Sequence, residues 1–252
     1  ALCCMPSSPP DVSTTVMSTK SRFDLFVANF AHPQGWNGIP TNQPESQFLE
    51  NLGAGGSYRF VDRASTVQLA YQESFAAPAL ADYDNDGDLD FWVGTAIESG
   101  SVGDESPVLY RNEGNWNFTD VTAEAGLGNL GISYQSAWAD VNDDGNLDLV
   151  TNGKIFINLG SGNNWLKVKV DGINQANVGR DAIGTQVKID LGGGNLLVRQ
   201  VESGTGEHCS NDLVLHFGLG LRTNDVDLEV TWLNGNTQTV QDVAVNQTVT
   251  VQ

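Results

Sequence analysis

Positive charge is scarce in this chain: 12 Lys and Arg stand against 31 Asp and Glu across 252 residues, for a formal net charge of −19. A field of that sign repels phosphate backbones and anionic headgroups, which argues against nucleic acid as a partner. No apolar run approaches the roughly 20 residues that cross a bilayer, so membrane insertion is not expected. The sequence does not open with Met followed by basic and apolar regions, as expected of a mature or trimmed form. Histidine is also rare, and His32, His208 and His216 stand in no nucleophile or metal-ligand spacing. His208 adjoins Cys209, but neighbouring residues in extended chain point apart, so the pair makes a poor nucleophile and base. With no catalytic constellation, the chain reads as not an enzyme.

Cysteine is limited to Cys3, Cys4 and Cys209, an odd number. In an oxidising compartment Cys209 can bridge to Cys3 or Cys4 while the remaining thiol meets another subunit, and inert free thiols are the alternative. The sequons Asn117-Phe118-Thr119 and Asn246-Gln247-Thr248 make Asn117 and Asn246 candidate glycosylation sites and fit a secretory route, though such triplets also arise by chance.

What the chain does contain suits a turn-rich globular β protein: 40% hydrophobic residues, only 17% charged residues and 28 glycines. Its length suits one large β domain or two ordinary ones, and two are expected. Residues 1–22 carry Pro6, Pro9 and Pro10 among Ser and Thr, which predicts an extended N-terminal arm. Beyond it the chain repeats itself. Ala79-Leu80-Ala81-Asp82 returns as Ala137-Trp138-Ala139-Asp140, and Leu89-Asp90-Phe91 as Leu147-Asp148-Leu149, both at an offset of 58. Phe60-Val61-Asp62 returns as Phe118-Thr119-Asp120, an Asn-x-Gly turn follows a strand at Asn51, Asn112 and Asn158, and a degenerate copy begins at Phe23.

Each copy reads as short strands between Gly, Asn and Asp turns, like a four-stranded propeller blade. Two to three such units over residues 23–160 leave open faces, because a propeller closes only as a ring. From Trp165 to Val170 apolar and charged residues alternate, predicting a strand with one buried face. Gly192-Gly193-Gly194 and Asn234-Gly235 are hairpin signals, so residues 165–252 are expected to form an antiparallel β-sandwich or barrel. The fold class is therefore all-β: partial propeller-like blades followed by a second β domain.

The sharpest chemistry lies in two loops, Asp82-Tyr83-Asp84-Asn85-Asp86-Gly87-Asp88-Leu89-Asp90 and Asp140-Val141-Asn142-Asp143-Asp144-Gly145-Asn146-Leu147-Asp148. Positions one, three, five and nine offer side-chain oxygens: Asp82, Asp84, Asp86 and Asp90, then Asp140, Asn142, Asp144 and Asp148. Position seven, Asp88 or Asn146, offers a carbonyl, and the glycine at six permits the tight turn. Oxygen-only ligands select Ca2+, one ion per loop. An EF-hand would need Glu at position twelve and flanking helices, where this chain has Val93 and Thr151 within β-type sequence. The alternative is a solvated Asx-rich hairpin, but nine of the 31 acids fall in these two loops, and such crowding strains a fold unless a cation neutralises it. The degenerate copy lacks the loop and has Lys20 and Arg22 near its position.

On these loops, residues 23–160 resemble the FG-GAP/VCBS repeats of integrin-like propellers. Residues 165–252 resemble the ASPIC/UnbV domain through Asn164-Trp165-Leu166, Asp181-Ala182-Ile183-Gly184, Val198-Arg199-Gln200-Val201 and Leu215-His216-Phe217-Gly218-Leu219-Gly220. The pairing is similar to that in cartilage acidic protein-like secreted proteins. The resemblance implies a secreted or cell-surface, calcium-stabilised scaffold of adhesion or matrix, with no catalytic residues to transfer. Few repeats, the arm and the odd cysteine favour a homo-oligomer or filament. A monomeric module binding a glycan or an extracellular protein is the alternative, with Trp36, Trp92 and Trp116 as candidate sugar-stacking faces unless they are core.

Overall fold

The 58-residue repeat becomes a stack of small antiparallel sheets. The computed structural model describes residues 2–7, 22–27, 46–67, 75–95, 106–205 and 209–252. Among the described residues there are strands, turns and short 3-10 segments, and no α-helix.

The first sheet has the order β1 (Leu2–Ser7), β2 (Arg22–Val27), β3 (Gln47–Asn51), β4 (Phe60–Asp62). The second repeats it with β5 (Phe75–Ala81), β6 (Asp90–Thr95), β7 (Val108–Asn112) and β8 (Phe118–Asp120). The third holds β9 (Ser136–Ala139), β10 (Asp148–Thr151) and β11 (Lys154–Phe156), with β10 in the middle. The degenerate copy therefore has four strands, because part of the expected arm is its first. Leu2–Ser7 pairs with β2 from Leu2↔Val27 to Ser7↔Arg22, and the bare backbone edge of β2 accounts for the pairing.

Alternation along β6 determines how the sheets stack. Phe91 and Val93 face the first sheet and pack with Phe26, Phe48 and Tyr110, the Phe91 ring lying 5.1 Å from Phe26 and 4.9 Å from Tyr110. Trp92 faces the other way, into Ala79, Ala81, Leu109, Trp138 and Leu149. Full burial of such side chains contributes about 1.5–3 kcal/mol each. Trp92 is thus core and offers no face to a sugar; its Nε1 donates to Ser136 Oγ at 2.8 Å.

The C-terminal part is a sandwich. A three-stranded sheet of β12 (Asn164–Val170), flanked by β15 (Leu215–Gly220) and β18 (Gln247–Val251), faces a four-stranded one. That second sheet has the order β14 (Asn195–Gln200), β13 (Gln186–Gly192), β16 (Val226–Thr231), β17 (Thr237–Val243). Leu166, Val168 and Phe217 meet Val187, Ile189, Leu228, Val230 and Trp232 in one core. The hairpin signals hold: Gly192, Gly193 and Gly194 all take positive φ between β13 and β14, and Asn234-Gly235 turns β16 into β17.

One pairing departs from the antiparallel expectation. β12 and β18 run parallel, Leu166↔Gln247 to Val170↔Val251. Asn246 sets that register. Its backbone N–H donates to the Trp165 carbonyl at 2.7 Å, its Oδ1 accepts from Trp165 N at 3.0 Å, and its Nδ2 donates to Asn164 Oδ1 at 2.6 Å.

Candidate metal centre

Each blade ties its second strand to its third with one buried aspartate. Asp24, Asp90 and Asp148 accept the N–H of Asn51, Asn112 and Asn158 at 2.7, 2.8 and 2.8 Å. Each of those asparagines then accepts, through Oδ1, the N–H of the glycine two residues on. In the second and third blades the same aspartate reaches back to position two of the loop: Asp90 Oδ2 accepts from Tyr83 N and Asp148 Oδ2 from Val141 N. Position nine thus anchors each loop to its sheet.

The first loop is folded around two buried carboxylate oxygens that lack donors. Oxygens of Asp82, Asp84 and Asp86 converge to within 4.8 Å of one another. Asp82 is 1% exposed. Its Oδ2 accepts from Gly87 N at 3.1 Å and Gly218 N at 2.9 Å, with the Arg199 guanidinium 3.5 Å away. Its Oδ1 is buried without a hydrogen-bond partner, as is Asp84 Oδ1. Burial pushes the Asp82 carboxyl up to about 7, against the pull of Arg199 and with the push of Asp86 and Asp84. Burial likewise raises Asp84 and Asp88 to about 6, with Asp86 adding to both, and holds Asp90 well above the usual carboxylate range, with Asp82 and Asp84 adding to it. Buried, mutually repelling oxygens without donors fit a hard divalent cation. Asp82, Asp84, Asp86 and Asp90 would hold it, and it would supply the positive charge that these oxygens lack.

The second loop has the same pattern and a different electrostatic environment. Asp140 Oδ1 accepts from Asp144 N at 3.0 Å, and Asp140 Oδ2 from Gly145 N at 2.8 Å. Asn142 spans to Asp144 through Nδ2 at 2.9 Å, and Asn146 Nδ2 donates to Asp144 Oδ1 at 2.9 Å. An ammonium is already in place: Lys167 Nζ lies 2.7 Å from Asp140 Oδ2 and 2.8 Å from Asp143 Oδ1. Lys167 comes from β12, where alternation predicted a charged residue facing solvent. It is instead nearly buried under the loop.

Both loops are bolted to the C-terminal sandwich, which sequence reasoning did not anticipate. On the first loop, Gly220 N donates to the Asn85 carbonyl at 2.8 Å, and a Cβ at Gly218 would fall onto the Asp82 carboxylate and the Asn85 backbone. On the second, His216 Nε2 meets the Gly145 carbonyl at 3.0 Å, and the Trp165 indole sits where a Gly145 Cβ would go. Burial lowers His216 to about 4, so the ring is neutral and donates from Nε2. Asn211 Nδ2 donates to the Leu80 carbonyl, and its Oδ1 accepts from Trp138 N. Position four of each loop takes left-handed φ, 61° at Asn85 and 58° at Asp143; the Asn85 side chain reaches the second loop and that of Asp143 reaches Lys167 of the sandwich.

The remaining expected sites are dispersed. Asn117 is exposed on the turn before β8, whereas the Asn246 side chain is tied at both ends to β12. Cys209 is half-buried, its carbonyl accepting from Thr205 N. The side chains of Cys3 and Cys4, and all of Trp36, His32 and His208, lie outside the described residues. Trp116 packs on Phe48 with ring centroids 5.1 Å apart.

Comparison with known families agrees with this organisation. Residues 98–151 match the model of an FG-GAP-like repeat, and residues 174–252 match that of ASPIC and UnbV. The stretch similar to an FG-GAP-like repeat thus precedes the stretch similar to ASPIC and UnbV. Cartilage acidic protein 1 of Mus musculus is 29% identical over 210 residues, 79% of this chain and 31% of that relative. The Homo sapiens protein of the same name is 28% identical over 210 residues, 79% of this chain and 30% of its own length. That of Xenopus tropicalis is 28% identical over 233 residues, 86% of this chain and 33% of its own. The chain spans about a third of the length of the curated relatives it matches. The second loop lies inside the FG-GAP-like match, Arg199, His216 and Gly218 lie inside the ASPIC and UnbV match, and Lys167 falls between the two. No helix among the described residues is long and apolar enough to cross a membrane.

Proposed function

We propose that this chain is a calcium-stabilised structural or adhesion module that works outside the cell and has no catalytic step of its own. The observation that carries the calcium reading is the pair of buried oxygens, Asp82 Oδ1 and Asp84 Oδ1, that accept no hydrogen bond in a loop where carboxylate oxygens of Asp82, Asp84 and Asp86 converge. Loops of this ligand class in extracellular proteins bind in the range of about 10⁻⁴–10⁻³ M, where external calcium keeps them loaded. The name of the relatives, cartilage acidic protein, supports an extracellular setting.

The module assembles with further copies of itself through the open third blade. In the second blade β8 covers the edge of β7, while β11 has no fourth strand beside it among the described residues. Ile155 stands exposed on β11, and Ile157 and Leu159 are exposed in the segment just after it, Leu159 at 94%. A bare edge flanked by apolar side chains is a template for strand addition. The glycan-binding alternative loses Trp92 to the core. Electron microscopy and sedimentation under non-reducing conditions, in calcium and then in chelator, test the proposal. Fibres or defined oligomers that dissociate in chelator are expected, and monomers in both conditions would overturn the assembly.

A further inference from the structure

The two loops share one ligand pattern, yet their carboxylates are met differently. In the first, the Arg199 guanidinium approaches only Oδ2 of Asp82, at 3.5 Å, and Asp82 Oδ1 and Asp84 Oδ1 are buried with nothing donated to them. In the second, both oxygens of Asp140 are engaged, and Oδ2 faces a full positive charge at 2.7 Å. That charge is held firmly. Lys167 sits mid-strand on β12, between β15 and β18, with a side chain 8% exposed. Its ammonium is clamped by Asp140, by Asp143 at 2.8 Å and by the Trp165 ring, 5.6 Å from its centroid. Asp140 is position one of the loop, a residue that a bound ion needs.

We infer that Lys167 is a tethered cation occupying the charge position of the second loop, so that calcium enters there only when the ammonium leaves Asp140. Two like charges cannot share one buried carboxylate without a large Coulomb cost. The loops therefore bind calcium unequally, the first tightly and the second weakly. Because Lys167 belongs to the C-terminal sandwich, filling the second loop removes one bond that docks the sandwich onto the blades. This inference rests on the calcium reading of the loops given above.

Calorimetric titration of the intact chain with CaCl2, with bound metal counted after equilibrium dialysis, tests it. The wild type is expected to bind one ion tightly and a second at least about tenfold more weakly, the scale on which a buried ion pair opposes its own disruption. Lys167→Gln should tighten the second site by about tenfold or more, while Lys167→Arg should leave it weak. Lys167→Gln removes a buried partner, so its melting temperature in chelator should fall and be recovered by calcium; a lysine of merely structural role would show no such recovery. Two equal sites in the wild type would overturn the inference and leave the calcium reading intact. No bound calcium at all would overturn both.

Discussion

Asn85 of the first loop donates its side-chain amide to Asn146 Oδ1 of the second at 3.1 Å, and to the Gly145 carbonyl at 3.2 Å. The two acidic loops are thus bonded to each other across 61 residues of sequence, at the same place where β15 docks on both. The junction of blades and sandwich is built from the metal loops themselves.

Breaking that bond should weaken the junction without touching a ligand. Asn85 is fully buried and left-handed, so Asn85→Gly keeps the backbone geometry and deletes the two hydrogen bonds. A loss of about 1–3 kcal/mol is expected for buried partners left unsatisfied. At this chain length that lowers the melting temperature by roughly 2–4 °C per kcal/mol, readable by calorimetry. Asn85→Ala should be worse, since alanine resists a positive φ.

Asp86→Ala separates ligand from scaffold. The side chain is exposed and its Oδ1 accepts only a local N–H from Asp88, so the apo fold loses little. With calcium far above its dissociation constant, the wild type gains about 2.7 kcal/mol at a hundredfold excess, and the variant forfeits that gain. Melting curves should therefore diverge in calcium, whereas in chelator the variant should melt no lower than the wild type, because the Asp86 charge repels Asp82, Asp84 and Asp88 there.

The raised carboxylates set the sign of the pH response. In chelator, folded Asp82 keeps its proton to about 7 and Asp84 and Asp88 to about 6, whereas the unfolded chain releases these protons near the ordinary value of 3.8. The native state binds more protons across that window, so stability falls as pH rises from about 4 to 7. The chelated protein should melt higher near pH 5 than near pH 7.5, and Asp82→Asn should flatten the slope. Calcium should raise the melting temperature near pH 7.5 and do little near pH 5, where protons compete for the same oxygens. A chelated wild type that melts higher at the more alkaline pH would contradict the charge environment described for the first loop.

The two sequons should behave differently in a secretory host. Both asparagines are exposed, but both heteroatoms of the Asn246 amide are engaged at the start of β12. Occupancy is expected at Asn117 and not at Asn246. Peptide mapping by mass spectrometry after enzymatic deglycosylation reads both positions, and a glycan on Asn246 would refute the expectation.

Much of this architecture was legible in the residues. The offset of 58 placed β5 and β6 onto β9 and β10, the Asn-x-Gly turns at Asn51, Asn112 and Asn158 marked the same point in three blades, and Gly192-Gly193-Gly194 and Asn234-Gly235 located the hairpins. Local pattern carried that information. What local pattern does not carry is which face meets a distant segment. Lys167 reads as a solvent-facing charge because alternation records only which face is apolar, and only the docked loop makes its other face a buried one. Arg199, Gly218 and His216 likewise belong to a strand and a hairpin whose contact with the loops spans from 71 to 136 residues. The parallel pairing of β12 with β18 was equally hidden, since Asn246 sets it through side-chain bonds that no strand period encodes.

The calcium reading is tested most directly at the first loop, in crystals grown with terbium in place of calcium. An anomalous peak at about 2.3–2.6 Å from oxygens of Asp82, Asp84, Asp86 and Asp90 is predicted, the distance range of a calcium-like ion on carboxylates. An ordered first loop with no peak among these four residues would contradict it.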